Sequence, residues 1–447
     1  MSEAVEDRAE TGAPHKRSLK LPKVRYVVLV WLLLIMIINY MDRSSVSVAA
    51  PKMISELGLT QTDIGLLGSI FSWTYAIFQL PSGYLIDKIG PRRMYYLSLG
   101  VWSIATALMA VGQTMLHFVT FRFLLGVGES PNSPNCSKIA TSWFPRSERG
   151  WAAGIWDSGS KWGAAVAPPI LTAIMLVAGW RAMFIVVGAM GIVLAAAFFA
   201  YYRSPEESKR LSPAEYKYIL TGRDDPTEKP AHLPWLKFFT RPQTWGMMLG
   251  FFTSIWIWNI FLTFLPLYLE TAYGVSIGLT GLLAALPFLA AGVGEVLGGR
   301  ASLMLVRRYG FSSMRSKKAA IIASAIMIGI LLLITPMLDS LFWAIVVLCV
   351  ALGLIAVLQG QSWALTTDIV PDSHAARFGS IMNFGGYFGG ALAPVLTGII
   401  FDKWHTYAPS FIIAGVIALL GAVFYAFMVK RPIAPVRYDV PETAPTR

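Results

Sequence analysis

Asp42 and Arg43 are adjacent charges inside an otherwise apolar run, 27–50, that is long enough to cross a bilayer. A carboxylate and a guanidinium at that depth are costly, and chains that keep them generally use them to handle ions or charged solutes. Arg122 and Glu129 repeat the pairing further along. Seven residues put them on one helix face, two turns and roughly 10.5 Å apart. A straight helix keeps them out of contact, so each needs a partner elsewhere: another span, water or solute. Lys161, with Asp157 one turn earlier, is a third intramembrane cation. Its spacing allows a same-helix ion pair, and equally a lysine turned toward a central cavity.

These types in this pattern suit two tasks. Arg43, with Lys161, is expected to bind an anion, because a buried cation is well stabilised by a bound carboxylate. Asp42 is expected to carry protons. Burial and a neighbouring cation pull a carboxylate's proton affinity in opposite senses, and both change when a site opens. Tyr40 and Tyr75, the latter near Gln79, offer hydroxyls at mid-span. Asn383, Gln361 and Trp363 are the second-half candidates, with Gln359 and Ser362 beside them. Trp256, Trp258 and Asn259 are weaker ones.

Positioning these residues requires membrane helices. Hydrophobic residues make up 55% of the 447 and charged residues 14%, where a soluble domain carries about a quarter charged. Twelve apolar stretches reach spanning length: 26–50, 64–86, 95–114, 117–141, 151–178, 182–202, 244–268, 277–301, 318–337, 340–364, 377–401 and 409–429. The expected fold is an all-α membrane protein of twelve transmembrane helices. The polar stretch 203–241 divides them six and six. It separates a bundle over 26–202 from a second over 242–430, with tails at 1–25 and 431–447. A short helix is expected around 213–220. Two six-span halves predict pseudo-repeats with a binding site between them at mid-depth.

The net charge of +12 is not spread evenly. One side receives Arg8 to Arg25, Lys88, Arg92 and Arg93, Arg146 and Arg149, Arg203 to Arg241, Arg300 to Lys318, Arg377, and Lys430 to Arg447. The other keeps little beyond Lys52, Arg181 and Lys403. The basic side is then cytoplasmic, with both termini. The charge encodes topology, and no nucleic-acid partner is implied. Cys136 and Cys349 both fall in spans, which supports neither a disulfide framework nor a metal site. The five histidines lie in tails, loops or span ends, and no HExxH or nucleotide-binding sequence occurs. No metal, cofactor or enzymatic activity is expected.

Between spans 2 and 3 lies Gly83-Tyr-Leu-Ile-Asp87-Lys88-Ile-Gly90-Pro-Arg92-Arg93. Asp87 is placed to accept from the nearby arginines or to cap the next helix. The segment resembles the loop motif of the major facilitator superfamily at every defined position, which assigns Gly83, Asp87, Gly90, Arg92 and Arg93 a conformational role. The second-half counterpart, Gly298-Gly299-Arg300-Ala-Ser302-Leu303, has Leu303 in place of the acid. Further segments resemble the anion:cation symporter family within that superfamily. They are Asn39 to Arg43, Arg122 to Pro131, Gly179-Trp180-Arg181, Trp363 to Pro371, and Asn383-Phe-Gly-Gly386. That family includes bacterial hexuronate, galactonate, glucarate and phthalate carriers.

The resemblance implies proton-driven symport of an organic anion by alternating access, with the proton motive force as energy source and a monomer as the working unit. It implies that Glu129 carries protons as well, with Arg122 modulating it. A sugar acid, a dicarboxylate or a sulfonated carboxylate all fit. The short 51–63 loop without a glycosylation sequon favours a bacterial inner-membrane member. Alternatives are an exporter or antiporter of drugs or metabolites, and a non-transporting membrane sensor. Deep arginines favour anions over lipophilic cations.

Overall fold

In hydrocarbon, every backbone N–H and C=O must find its partner within the segment, so apolar stretches of this length become helices. The computed structural model describes residues 24–221, 235–370 and 372–433. The terminal tails and the middle of the central loop, with Pro226 and Pro230, lie outside the described residues.

The first half comprises α1 (Val24–Leu57), α2 (Gln61–Ile89), α3 (Pro91–Leu108), α4 (Met115–Glu129), α5 (Asn132–Trp143) and α6 (Arg146–Tyr201). A surface helix, α7 (Pro213–Thr221), follows in the central loop. The second half comprises α8 (Pro242–Tyr273), α9 (Ile277–Tyr309), α10 (Ser313–Ile334), α11 (Leu341–Ile369), α12 (Asp372–Gly390), α13 (Leu392–Trp404) and α14 (Ala408–Phe427).

Twelve crossings emerge once three joints are recognised. α6 holds two crossings, because Gly179 at φ +82° and ψ 164° turns the chain within it. Only glycine adopts that conformation without strain. The crossing expected over 117–141 is broken at Ser130–Pro131 into α4 and α5, where proline supplies no N–H to continue the ladder. The eleventh crossing is likewise split, between α12 and α13. α1 runs past Pro51 to Leu57, seven residues beyond the expected 26–50 span, a continuation that membrane helices tolerate when neighbours satisfy the freed groups.

The halves meet along α1–α8, α2–α12 and α13, and α6–α9. At the face carrying the α1–α2 turn, Asp402 at the end of α13 accepts from the Gln61 and Thr62 amides at 3.1 and 2.8 Å and from the Thr62 hydroxyl at 2.5 Å. A carboxylate there also meets the positive end of the α2 dipole. Tyr407 donates to Gln61 Oε1 at 3.0 Å. Gly65 and Gly398 leave no room for a Cβ against the facing backbone, so α2 and α13 touch main chain to main chain. This face is closed. On the face bearing the termini, two ion pairs each stay within one half: Asp87–Lys138 and Lys317–Asp368, both at 2.9 Å.

Candidate functional site

Arg43 stands well along α1, where its side chain crosses to α4. Its Nε lies 2.7 Å from Glu129 Oε2, and both side chains are buried. Its Nη1 reaches the Tyr387 hydroxyl on α12 at 3.4 Å. Tyr40, Phe71 and Tyr75 present their rings to the guanidinium, with centroids 4.8, 5.0 and 4.7 Å from Cζ. Aromatic faces carry negative charge density and stabilise a desolvated cation. The guanidinium therefore sits in a cage of three rings with one carboxylate partner.

The seven-residue spacing leaves Arg122 and Glu129 each in need of a partner elsewhere, and for Glu129 that partner is Arg43. Asp42 makes no ion pair with Arg43 but lies beside the same Glu129. It is fully buried, and neither of its oxygens has a hydrogen-bond partner. Its neighbours are Glu129, Thr106 on α3, Arg122 and Arg43. Successive helix residues diverge by about 100°, so Asp42 reaches α3 as well as α4, while Arg43 reaches α4 and α12. Arg122 is also buried, near Glu129 and Asp42, but its Nε has no hydrogen-bond partner. Glu129 is bound by Arg43, with Arg122 as a neighbouring charge.

Arg43 and Arg122 both line a small central cavity of about 30 Å³, with Ser47, Trp258, Asn259 and Tyr387. That volume holds roughly two waters, far short of the ~300 Å³ or more of a small-molecule site. Two guanidinium groups from the first half thus meet indole, amide and phenol groups from the second across a gap that must widen to admit a solute. Trp258 and Asn259, weak candidates from sequence, line it directly. Asn259 also donates to the Gly390 carbonyl at 3.1 Å. Tyr387 and Ser47 were not anticipated. Tyr387 lies one turn beyond Asn383, and that periodicity was the available signal.

Lys161 is buried and holds two carboxylates: Asp157 Oδ2 at 3.3 Å on its own helix and Glu295 Oε2 at 3.4 Å on α9 of the other half. Glu295 was missed, although a lone acid inside a predicted span is itself a signal. Asn383 donates to Gln79 Oε1 at 2.9 Å, joining α12 to α2. Gln79 in turn lies 3.4 Å from the Tyr75 hydroxyl. Gln361 is buried, with Oε1 unpartnered. Trp363 is substantially exposed and packs edge-on against Phe251, away from the residues lining the central cavity.

In the loop motif, Asp87 neither caps α3 nor bonds Arg92 or Arg93. Gly90, at φ +82°, stands at the α3 N-cap with no side-chain hydrogen bond, and Asp87 reaches Lys138 of α5 instead. Arg92 donates twice to the Phe199 carbonyl, at 3.1 and 2.7 Å, and lies over the Phe199 ring. It thereby satisfies an end carbonyl of α6. Gly83 and Arg93 are exposed. In the second half, where Leu303 replaces the motif's acid, Asp368 binds Lys317 and accepts from the Ser313 hydroxyl at 3.0 Å.

The sequence matches the Major Facilitator Superfamily over residues 32–394 and 309–446. It is 37% identical, over 95% of this chain and 93% of the relative, to a probable L-galactonate transporter of Escherichia coli (strain K12). It is 33% identical, over 91% and 94%, to a probable sulfoacetate transporter, SauU, of Cupriavidus necator. Among solved structures, a bacterial homolog of the human lysosomal transporter Spinster aligns with TM-score 0.73 at 20% identity, over 91% of this chain and 97% of that one. A D-xylose-proton symporter aligns with TM-score 0.70 at 16% identity, over 91% and 98%. Twelve crossings in two halves, buried charges around a central cavity and these matches agree: the chain belongs to the major facilitator superfamily and is a multi-pass membrane transporter, not an enzyme.

Proposed function

We propose that this protein takes up an organic anion of the sugar-acid type together with protons, by alternating access across a bacterial inner membrane. The observation that carries the reading is the buried Arg43–Glu129 pair beside a cavity that also exposes Arg122. Glu129 occupies the cation that a substrate carboxylate would use. Protonating Glu129 releases Arg43, so proton and anion bind together and leave together. Asp42, with two unpartnered oxygens next to Arg122 and Glu129, is the second proton carrier. An arginine fork suits a carboxylate in two-point contact, and the cage residues Tyr40 and Tyr75 supply hydroxyls for a polyol chain. Asn383 and Gln361 serve it from the second half.

In this reading the face bearing the termini is cytoplasmic, and the face sealed by Asp402, Gln61 and Tyr407 is outside. The loop-motif residues Gly83, Asp87, Gly90, Arg92 and Arg93 act on the cytoplasmic side as the halves rock. The working unit is a monomer, and no cofactor beyond the proton motive force is needed. One charge crossing 100 mV is worth roughly 2.3 kcal/mol. The relatives' names, galactonate and sulfoacetate, set the substrate range to test. Purified protein in liposomes, given an inward proton gradient, should accumulate such anions and lose them when a protonophore is added. Absence of uptake, or uptake indifferent to the gradient, overturns the proposal.

A further inference from the structure

Lys161 poses a question that the Arg43 site leaves open. An ammonium at mid-depth, almost wholly buried, is held by Asp157 of its own helix and Glu295 of the opposite half. Both contacts, 3.3 and 3.4 Å, are long for charge-assisted hydrogen bonds, which cluster near 2.7–2.9 Å. Glu295 Oε2 is buried and its contact with the lysine is a loosely formed ion pair, with the Asp157 carboxyl close to it as well. Among the described residues, Lys161 and Asp157 are the charged groups acting on Glu295. α11 brings Gly360 against its side chain, and Tyr40 of α1 is a neighbour of Lys161. Tyr40 is also a wall of the Arg43 cage, so one side chain has both cations as neighbours.

The two cations share a design. Each carries a carboxylate where an anion could sit: Glu129 on Arg43, Glu295 on Lys161. Resting on the anion-uptake reading above, we propose that Lys161 is the subsite for the second anionic group of a substrate charged at both ends, a sugar dicarboxylate, and that Glu295 holds the place until such a substrate arrives. Charge balance then fixes the proton count. Two carboxylates and one ammonium sum to −1 in the resting cluster. A substrate carboxylate brings the sum to −2, and one proton taken from cavity water onto Glu295 restores −1. A dicarboxylate therefore binds with one proton more than a monocarboxylate of the same length. It also frees Glu295 from the other half, which loosens a contact between α6 and α9.

The test uses the full-length purified protein and two six-carbon probes, D-galactonate with one carboxylate and galactarate with two. Isothermal calorimetry in two buffers of different ionisation enthalpy reads affinity and proton uptake together. For wild type, galactarate binding should take up one proton more than galactonate binding. Lys161→Gln should weaken galactarate at least tenfold and galactonate less than threefold, and Lys161→Arg should restore much of the difference. Glu295→Gln should abolish the extra proton while retaining galactarate binding. An unchanged galactarate-to-galactonate ratio in Lys161→Gln, or an unchanged proton difference in Glu295→Gln, overturns the subsite and leaves monoanion uptake standing. If wild type binds neither probe nor any other organic anion, the uptake reading fails with it.

Discussion

Arg43 Nε and Glu129 Oε2 are 2.7 Å apart, although 86 residues separate them in sequence, and the guanidinium is held on its other sides by three aromatic rings. Removing either member of a buried pair leaves an uncompensated charge, at a cost of about 3–5 kcal/mol. Arg43→Ala should therefore lower the melting temperature as well as abolish anion binding. Arg43→Lys keeps the charge but loses the planar fork. It should fold normally and bind at least ~10-fold more weakly by calorimetry. Equal affinity in Arg43→Lys removes the fork from the account.

Asp42 makes no hydrogen bond through either oxygen, so neutralising it should not cost a structural contact. Asp42→Asn is expected to abolish gradient-driven accumulation in liposomes while leaving exchange of labelled for unlabelled substrate. Retention of pH-driven accumulation removes Asp42 from the proton path.

Asp402 accepts three hydrogen bonds from the start of α2. Bonds to a charged acceptor are worth about 1.5–3 kcal/mol each. Asp402→Ala should shift the resting population toward the state open on this face by at least tenfold, a change of about 1.4 kcal/mol. Spin-label distances between the α1–α2 and α13–α14 turns read this directly, and an unchanged distribution contradicts the proposed seal.

At the face bearing the termini, α7 docks through Glu215, which accepts from the Arg25 backbone N–H at 3.3 Å and is itself buried. Burial pushes its carboxyl above the ordinary value of 4.5, the Arg25 N–H and charge opposing. An acid whose proton affinity is higher when docked stabilises the docked form fully below its free value, and loses that contribution as pH rises through the docked one. The protection of amides 213–221, taken relative to their intrinsic exchange rates at each pH, should therefore rise on moving from neutral pH toward pH 5. Glu215→Gln should flatten that dependence and protect α7 at neutral pH. Lower protection at low pH reverses the sign and refutes it.

The crossings are legible from composition because lipid imposes one solution on an apolar stretch. Gly179 is visible as a break between the fifth and sixth spans for the same reason. The pairing of charges was not legible. That Arg122 and Glu129 share a face without bonding follows from their spacing, but that Asp42 and Arg43 both come to lie beside Glu129 does not. Glu129's partner lies on another helix and depends on how α1 rotates against α4, which no local spacing records. Glu295 and Asp402 act across the two halves, so their roles exist only once the halves are docked. Tyr387 passed as an ordinary aromatic residue until α12 was set against α1.

The central claim is that a proton and an anion exchange places on the Arg43–Glu129 pair. The most direct measurement is the pH dependence of anion affinity in purified wild type and in Glu129→Gln, with D-galactonate as probe. If one proton accompanies each anion onto this pair, wild-type Kd falls up to about tenfold per pH unit as pH is lowered, and Glu129→Gln binds with that steep dependence removed. A wild-type affinity independent of pH, or a Glu129→Gln protein that keeps the wild-type slope, contradicts it.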